Sequence, residues 1–342
     1  MIRGEWRPWG QLDWLLSHTT VTQWDLIGCV ATEPRCLSSL KVLTRFRGPT
    51  NAQFFQITDE DSRFQSHSVA LLTERREQLR TLIGGRCNIR PCHLFDLQAD
   101  LVRQIDESSD LTGNSVLVDI SCLPKRFFFP LLRRLLTSGS KRNIVITYSL
   151  PSRYGEDPLA IDPEPWKHLP TFMPPFPEPK NKTLVVSAGF EPYGLPKLLS
   201  SGEFGTLSTK ILFPSPSPPP EFQRNWDFVR RLVPSGADTA SIEYVNKHSV
   251  PDVFEALRRL SNNGEEYLIL APFGPKPMSL AMCLYAISDY GQQGGSAVYY
   301  TQPKAYNPSY TIGTQQTPAG PAVLAYFVRI AGKNVYSRRP DD

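Results

Sequence analysis

One pattern occurs twice in this chain, and the repetition limits what the chain can fold into. Ser115 to Tyr154 reads as an apolar run, a Pro124-Lys125 turn, an amphipathic stretch and a second apolar run ending in Tyr148-x-x-Pro151-x-x-Tyr154. Glu266 to Tyr306 repeats the order, with Pro275-Lys276 at the turn and Tyr300-x-x-Pro303-x-x-Tyr306 at the tail. A solenoid needs roughly three repeats or more to bury its faces. Two copies therefore predict a duplicated domain.

The flanking sequence extends both copies. In the first, apolar runs predict strands at 24–31, 52–57, 88–95, 115–120 and 143–148, because short continuous apolar segments suit strands buried on both faces. Between them, spaced leucines predict helices at 36–46, 67–83, 97–105 and 125–136, the last with Pro124 at its first turn. Pro130 lies inside that helix and predicts a kink or a late start, since it removes a hydrogen bond. In the second, strands are expected at 183–188, 209–213, 241–245, 267–271 and 297–300, and helices beginning at 195, 221, 250 and 276. A further apolar run at 322–330 is expected to extend the second sheet.

Strand and helix alternate, and parallel strands need crossovers. The fold class is therefore α/β: two tandem domains arising by internal duplication, each a mainly parallel sheet with helices on both faces. The expected division is a Trp-rich arm at 1–22 carrying Trp6, Trp9 and Trp14, a first domain at 23–155, a linker at 156–182 and a second domain at 183–335. The linker holds eight of the 32 prolines, and such density predicts a stiff, extended connection.

Composition narrows the function classes. A net charge of +4 permits an acidic partner without demanding one. Paired arginines (Arg75-Arg76, Arg133-Arg134, Arg230-Arg231, Arg258-Arg259) do not share a helix face and read as solvated faces; a nucleic-acid stripe would need them to align in space, so nucleic acid is possible but not indicated. Six cysteines without paired spacing read as buried thiols rather than a disulfide framework. Residues 1–20 lack the apolar core of a signal peptide, and no run reaches the roughly 18 apolar residues of a membrane span. The expectation is a cytoplasmic protein. There is no P-loop, G-x-G-x-x-G, H-E-x-x-H or G-x-S-x-G, so no catalytic residue and no cofactor are assigned. Cys87, Cys92 and His93 make half a metal site at most, and no metal is assigned.

The candidate sites follow from the fold. In open parallel sheets, ligands bind beyond the carboxyl ends of the strands. Those ends carry Glu33, Arg35 and Lys125 in the first copy, and Glu191, Tyr193, Gly274 and Lys276 in the second. A lysine at a helix N-terminus adds charge where exposed N–H groups and the helix dipole already favour an anion; otherwise Pro-Lys is simply a turn that caps a helix. Glu33 and Glu191 either accept a ribose hydroxyl or set their loops. Gly274 leaves room for close backbone approach of a ligand.

The segment Pro272-Phe273-Gly274-Pro275-Lys276-Pro277-Met278 resembles the Gly-Thr-Lys-x-Met type segment of CARF domains, with Pro275 where a small hydroxyl residue is usual. CARF domains are Rossmann-like sensors of cyclic oligonucleotides in prokaryotic CRISPR defence. Two in one chain look like the related SAVED domain of antiphage systems. The resemblance implies ligand loops after strands one and four, at Glu33, Lys125, Glu191, Gly274 and Lys276. It also implies a non-catalytic sensor of a cyclic oligonucleotide or similar anion, whose effector activity sits on a protein partner. Two alternatives stay open: an adaptor subunit of a defence complex with empty pockets, and a Rossmann-like enzyme acting on a nucleotide or sugar phosphate.

Overall fold

The computed structural model describes residues 7–59, 62–85, 87–156, 160–176, 179, 181–199, 207–233, 240–293 and 295–337. Trp6 lies outside them. The chain divides into two compact units, Met1–Asp162 with Pro303–Val335, and Pro163–Gln302 with Tyr336–Asp342. Each holds its own sheet.

The first unit runs β1 (Trp9–Gln11), α1 (Leu12–His18), β2 (Asp25–Val30), α2 (Ser38–Phe46), β3 (Ala52–Thr58), α3 (Gln65–Ile83), β4 (Cys87–His93), α4 (Gln98–Ser109), β5 (Ser115–Asp119), α5 (Lys125–Thr137) and β6 (Asn143–Ser149). The five strands β2 to β6 are all parallel and lie in the order β4-β3-β2-β5-β6. Numbered within the unit, that order is 3-2-1-4-5, the core of the Rossmann arrangement. β7 (Pro151–Tyr154) and β8 (Ala160–Pro163) follow as short strands. Helix α5 begins at Lys125 and continues through Pro130, so the late start expected from that proline does not occur. Phe127, Phe128, Phe129, Leu131 and Leu132 are all buried, and Phe127 lies edge-on to Phe55 of β3 at 5.9 Å.

The second unit opens with β9 (Lys167–His168), then β10 (Lys182–Ser187), α6 (Leu195–Leu199), β11 (Ser208–Ser215), α7 (Glu221–Leu232), β12 (Ala240–Asn246), α8 (Val250–Leu260), β13 (Tyr267–Pro272), α9 (Lys276–Ile287) and β14 (Ser296–Tyr300). Its parallel strands lie in the order β12-β11-β10-β13-β14, again 3-2-1-4-5. The duplication thus extends to strand order. Helix α9 is apolar nearly all round, and Pro277 to Ala286 are buried along its length. Such a helix must be interior, which holds its first residue, Lys276, on a rigid base.

The chain then continues through β15 (Pro303–Tyr306), β16 (Thr311–Thr314), the small ribbon β17 (Gln316–Thr317) with β18 (Gly320–Pro321), β19 (Val323–Ile330) and β20 (Lys333–Asn334). Here the structure corrects the sequence reading. Strand β19 does not extend the second sheet; it runs antiparallel along β6 of the first, from Val323 opposite Ser149 to Arg329 opposite Ile144. The first unit is therefore discontinuous in sequence. The Trp-rich segment is not a separate arm either, because Trp9 in β1 pairs with Tyr326 of β19 and stacks on its ring at 5.8 Å. The proline-rich stretch is not uniformly irregular: β9 pairs antiparallel with β14, as His168 opposite Tyr299.

One physical cause accounts for both strands. The fifth parallel strand of each sheet presents a row of unpaired N–H and C=O groups at an open edge. In the first unit the returning β19 covers that edge; in the second the preceding β9 does. Arg75, expected on a solvated face, is buried and bonds Glu74 at 2.7 Å and Gln78 at 3.0 Å.

Candidate functional site

In the first unit the loop after β2 leads into a short 3-10 turn, Pro34–Leu37. Glu33 and Arg35 meet there: the Arg35 Nε donates to the Glu33 carboxylate at 2.9 Å, with both side chains largely buried. Arg35 also donates to the Ser149 carbonyl at 3.2 Å and lies 5.5 Å from the Tyr148 ring centre. The Thr311 hydroxyl, on β16, donates to Glu33. β16 is held in place by pairing with β7, Thr311 opposite Tyr154. Tyr154 closes the group, 3.5 Å hydroxyl to hydroxyl from Tyr148 and edge-on to Tyr310. Burial, then the neighbouring Tyr148 and Tyr310, push the Tyr154 hydroxyl well above its ordinary range. Glu33 and Arg35 are thus brought together as expected, but they are spent on each other and on the chain's own residues. Lys125 is half-buried at the start of α5, behind the turn Ile120 to Pro124. Its neighbour Arg126 donates to the Asp96 carbonyl at 2.9 Å.

In the second unit the loops after β10 and β13 are locked backbone to backbone. A Cβ on Gly189 would stand 2.3 Å from the Phe273 carbonyl oxygen, and one on Gly274 would stand 2.8 Å from that of Ala188. Real Cβ atoms do not approach so closely, so both positions demand glycine. The Gly274 N–H donates to the buried Ser187 hydroxyl at 3.0 Å. Gly274 therefore serves the contact between loops, and the side on which it lacks a Cβ faces the neighbouring strand end.

Phe273 is the centre of an aromatic wall. It lies 6.4 Å from Tyr193, 5.8 Å from Phe228 and 5.4 Å from Tyr300. Trp166, from the segment leading into β9, stacks on Tyr299 at 5.3 Å and lies parallel to Phe273 at 6.4 Å. Tyr193 holds a positive φ of 46°. A bulky residue adopts that conformation only when its surroundings enforce it, and such residues cluster at ligand clamps and switches. Glu191 turns away from this wall and bonds Arg231 of α7 at 3.1 Å, in an exposed pair. Lys276 is half-buried at the first position of α9, behind Pro275 (φ −49°, ψ 149°). The equivalent Pro124 before Lys125 has φ −59° and ψ 151°. The two lysines thus occupy equivalent places, each opening the helix after the fourth parallel strand of its unit.

Of the predicted residues, Tyr193, Gly274 and Lys276 share one end of the second sheet, while Glu191 stands at its margin. Sequence reasoning did not single out Trp166, or Thr301, the buried residue that follows Tyr300. Trp166 sits in a stretch read as linker. Thr301 was signalled only by the tail of the repeat, where Tyr148-Ser149 aligns with Tyr300-Thr301.

Among the described residues no group of three or more His, Cys, Asp or Glu is placed to hold a metal ion. No helix among them is long and apolar enough to cross a membrane. No protein-family model and no curated protein matches the chain. Among solved structures it is similar to one from Pseudomonas aeruginosa UCBPP-PA14, provisionally named a universal stress protein. Identity is 10%, over 82% of this chain and 93% of that one, with a TM-score of 0.23, at which the similarity carries no argument.

Proposed function

We propose that this chain is a non-catalytic binding protein that takes an anionic, nucleotide-type ligand at the strand ends of its second unit. One observation carries the reading: a half-buried lysine opens the buried helix α9 directly beyond a wall of aromatic rings. A helix N-terminus with a lysine suits a phosphate. Aromatic faces suit a base, by stacking worth about 1–3 kcal/mol each. The resemblance of the Phe273–Met278 segment to CARF domains names the ligand class, a cyclic oligonucleotide signal of prokaryotic defence read in the manner of a SAVED domain. The test is calorimetric titration with cyclic di-, tri- and tetranucleotides. Lys276→Ala is expected to weaken binding by about 1.5–3 kcal/mol, the scale of a charged hydrogen bond, or roughly 10- to 150-fold. Lys125→Ala should leave binding unchanged, since the first unit's strand ends are filled by its own side chains.

That filling favours a second reading. Glu33 and Arg35 are consumed by Thr311, Ser149 and Tyr148 of the same unit. A chain whose strand ends are closed from within suits a structural or adaptor subunit of an antiphage complex, with the effector on a partner. Failure of the wild-type protein to bind any member of the panel, with its fold intact, rejects the sensor reading and leaves the adaptor.

A further inference from the structure

The repeated tail places a hydroxyl residue directly after the fifth parallel strand's tyrosine in both units: Ser149 after Tyr148, and Thr301 after Tyr300. Both are fully buried, at 0% and 1% exposure. The side-chain oxygen of each has no hydrogen-bond partner within the protein. A buried hydroxyl without a partner is unfavourable, and here the same unfavourable choice occurs twice at one topological position.

The surroundings of the two differ. Over Ser149 the first unit supplies its own charged group: the Arg35 guanidinium bonds the Ser149 carbonyl and pairs with Glu33. At the corresponding loop of the second unit, Glu191 is drawn out to Arg231, and Tyr193 leans on Phe273. The Thr301 methyl lies 3.9 Å from where a side chain on Gly194 would begin, so the methyl side of Thr301 meets the loop after β10. The last paired residues of β13 and β14 are Leu270 and Val298. Three residues on from each stand Phe273 and Thr301, beyond the end of the ladder, with Phe273 leading into the turn that carries Lys276. Thr301 thus stands at the strand ends of the second unit, at the topological position where the first unit seats its own ion pair.

We infer that Thr301 is a ligand-contacting residue: its hydroxyl donates to an oxygen of the phosphate group whose charge Lys276 and the N-terminus of α9 meet. This rests on the ligand site proposed above and adds the residue that distinguishes a hydrogen-bonding anion from any other occupant.

Three variants test it: Thr301→Val, which keeps the shape and removes the hydroxyl, Thr301→Ser, which keeps the hydroxyl, and Ser149→Ala as the first-unit control. Each is measured by thermal unfolding without ligand and by calorimetry against cyclic di-, tri- and tetraadenylate and ATP. Thr301→Val is expected to unfold at the wild-type temperature or a few degrees above it, because an unsatisfied polar group is gone. It should bind the probe that wild type binds about tenfold more weakly. Thr301→Ser should bind within about threefold of wild type, and Ser149→Ala should bind as wild type. A Thr301→Val protein that loses several degrees of stability would show a hydroxyl bonded inside the protein, and the inference fails. It also fails if Thr301→Val binds as wild type while Lys276→Ala does not, which spares the site itself. If wild type binds none of the four probes, the site falls and the role of Thr301 falls with it.

Discussion

Arg329 fastens the C-terminal strand β19 to the rest of the first unit, and its loss should be costly. It lies on β19, immediately after an irregularity in the register between Phe327 and Arg329. Bulges of this kind redirect a side chain, and here the guanidinium enters the protein at 4% exposure. It donates to the carbonyls of Leu135 at 3.3 Å, Leu136 at 2.5 Å and Lys141 at 3.3 Å, and to the Asn334 side chain at 2.8 Å. Leu135 and Leu136 are in the last turn of α5, where carbonyls have no partner within the helix. A cation there also meets the negative end of the helix dipole. Truncation to Ala removes four bonds and leaves buried carbonyls exposed to nothing. With about 1.5–3 kcal/mol for a charged hydrogen bond, and partial relief as water enters, the net loss should be about 3–5 kcal/mol. For a unit of this size each kcal/mol lowers the midpoint by about 2–4 °C, so the first unit should melt roughly 6–20 °C lower. Scanning calorimetry should show that shift in the transition that melts the first unit. Hydrogen exchange should show β19 and β6 losing protection together. If Arg329→Ala melts within about 2 °C of wild type, with β19 still protected, then the C-terminal strand is not fastened through this residue.

Three other outcomes follow from geometry already described. Gly189→Ala and Gly274→Ala should each destabilise the second unit by about 1–3 kcal/mol through overpacking, the first more than the second, as measured by chemical denaturation. Arg35→Ala should destabilise the first unit by about 3–5 kcal/mol, because it strands the buried Glu33 carboxylate; Arg35→Ala with Glu33→Gln should recover part of the loss. His248 is held down to about 4, by burial first and then by Lys247. The folded state keeps it neutral while the unfolded state takes up a proton near pH 6.5. Its contribution is therefore present above about pH 6.5 and is lost as pH falls toward 4. Urea titrations at pH 7 and 4.5 should show a drop for wild type that is smaller for His248→Gln.

Much of this architecture was written in local sequence. Strand and helix positions were legible because an apolar run and a 3.6-residue period report conformation directly. The duplication was legible because Pro124-Lys125 and Pro275-Lys276 sit at matching offsets from their tails, and Lys276 opens α9 where that reading put it. What the chain order could not disclose was who covers an edge. β19 and β9 have ordinary strand sequences, and nothing local says that one returns to β6 while the other pairs with β14. Edge pairing is decided by which unpaired backbone row is within reach after the parallel cores have formed. The same holds for function. Glu33 and Arg35 looked available because Thr311, which completes their bonding, is 278 residues away from Glu33. Only tertiary contact decides whether a strand-end charge faces a ligand or its own chain, because that depends on distance in space and not along the sequence.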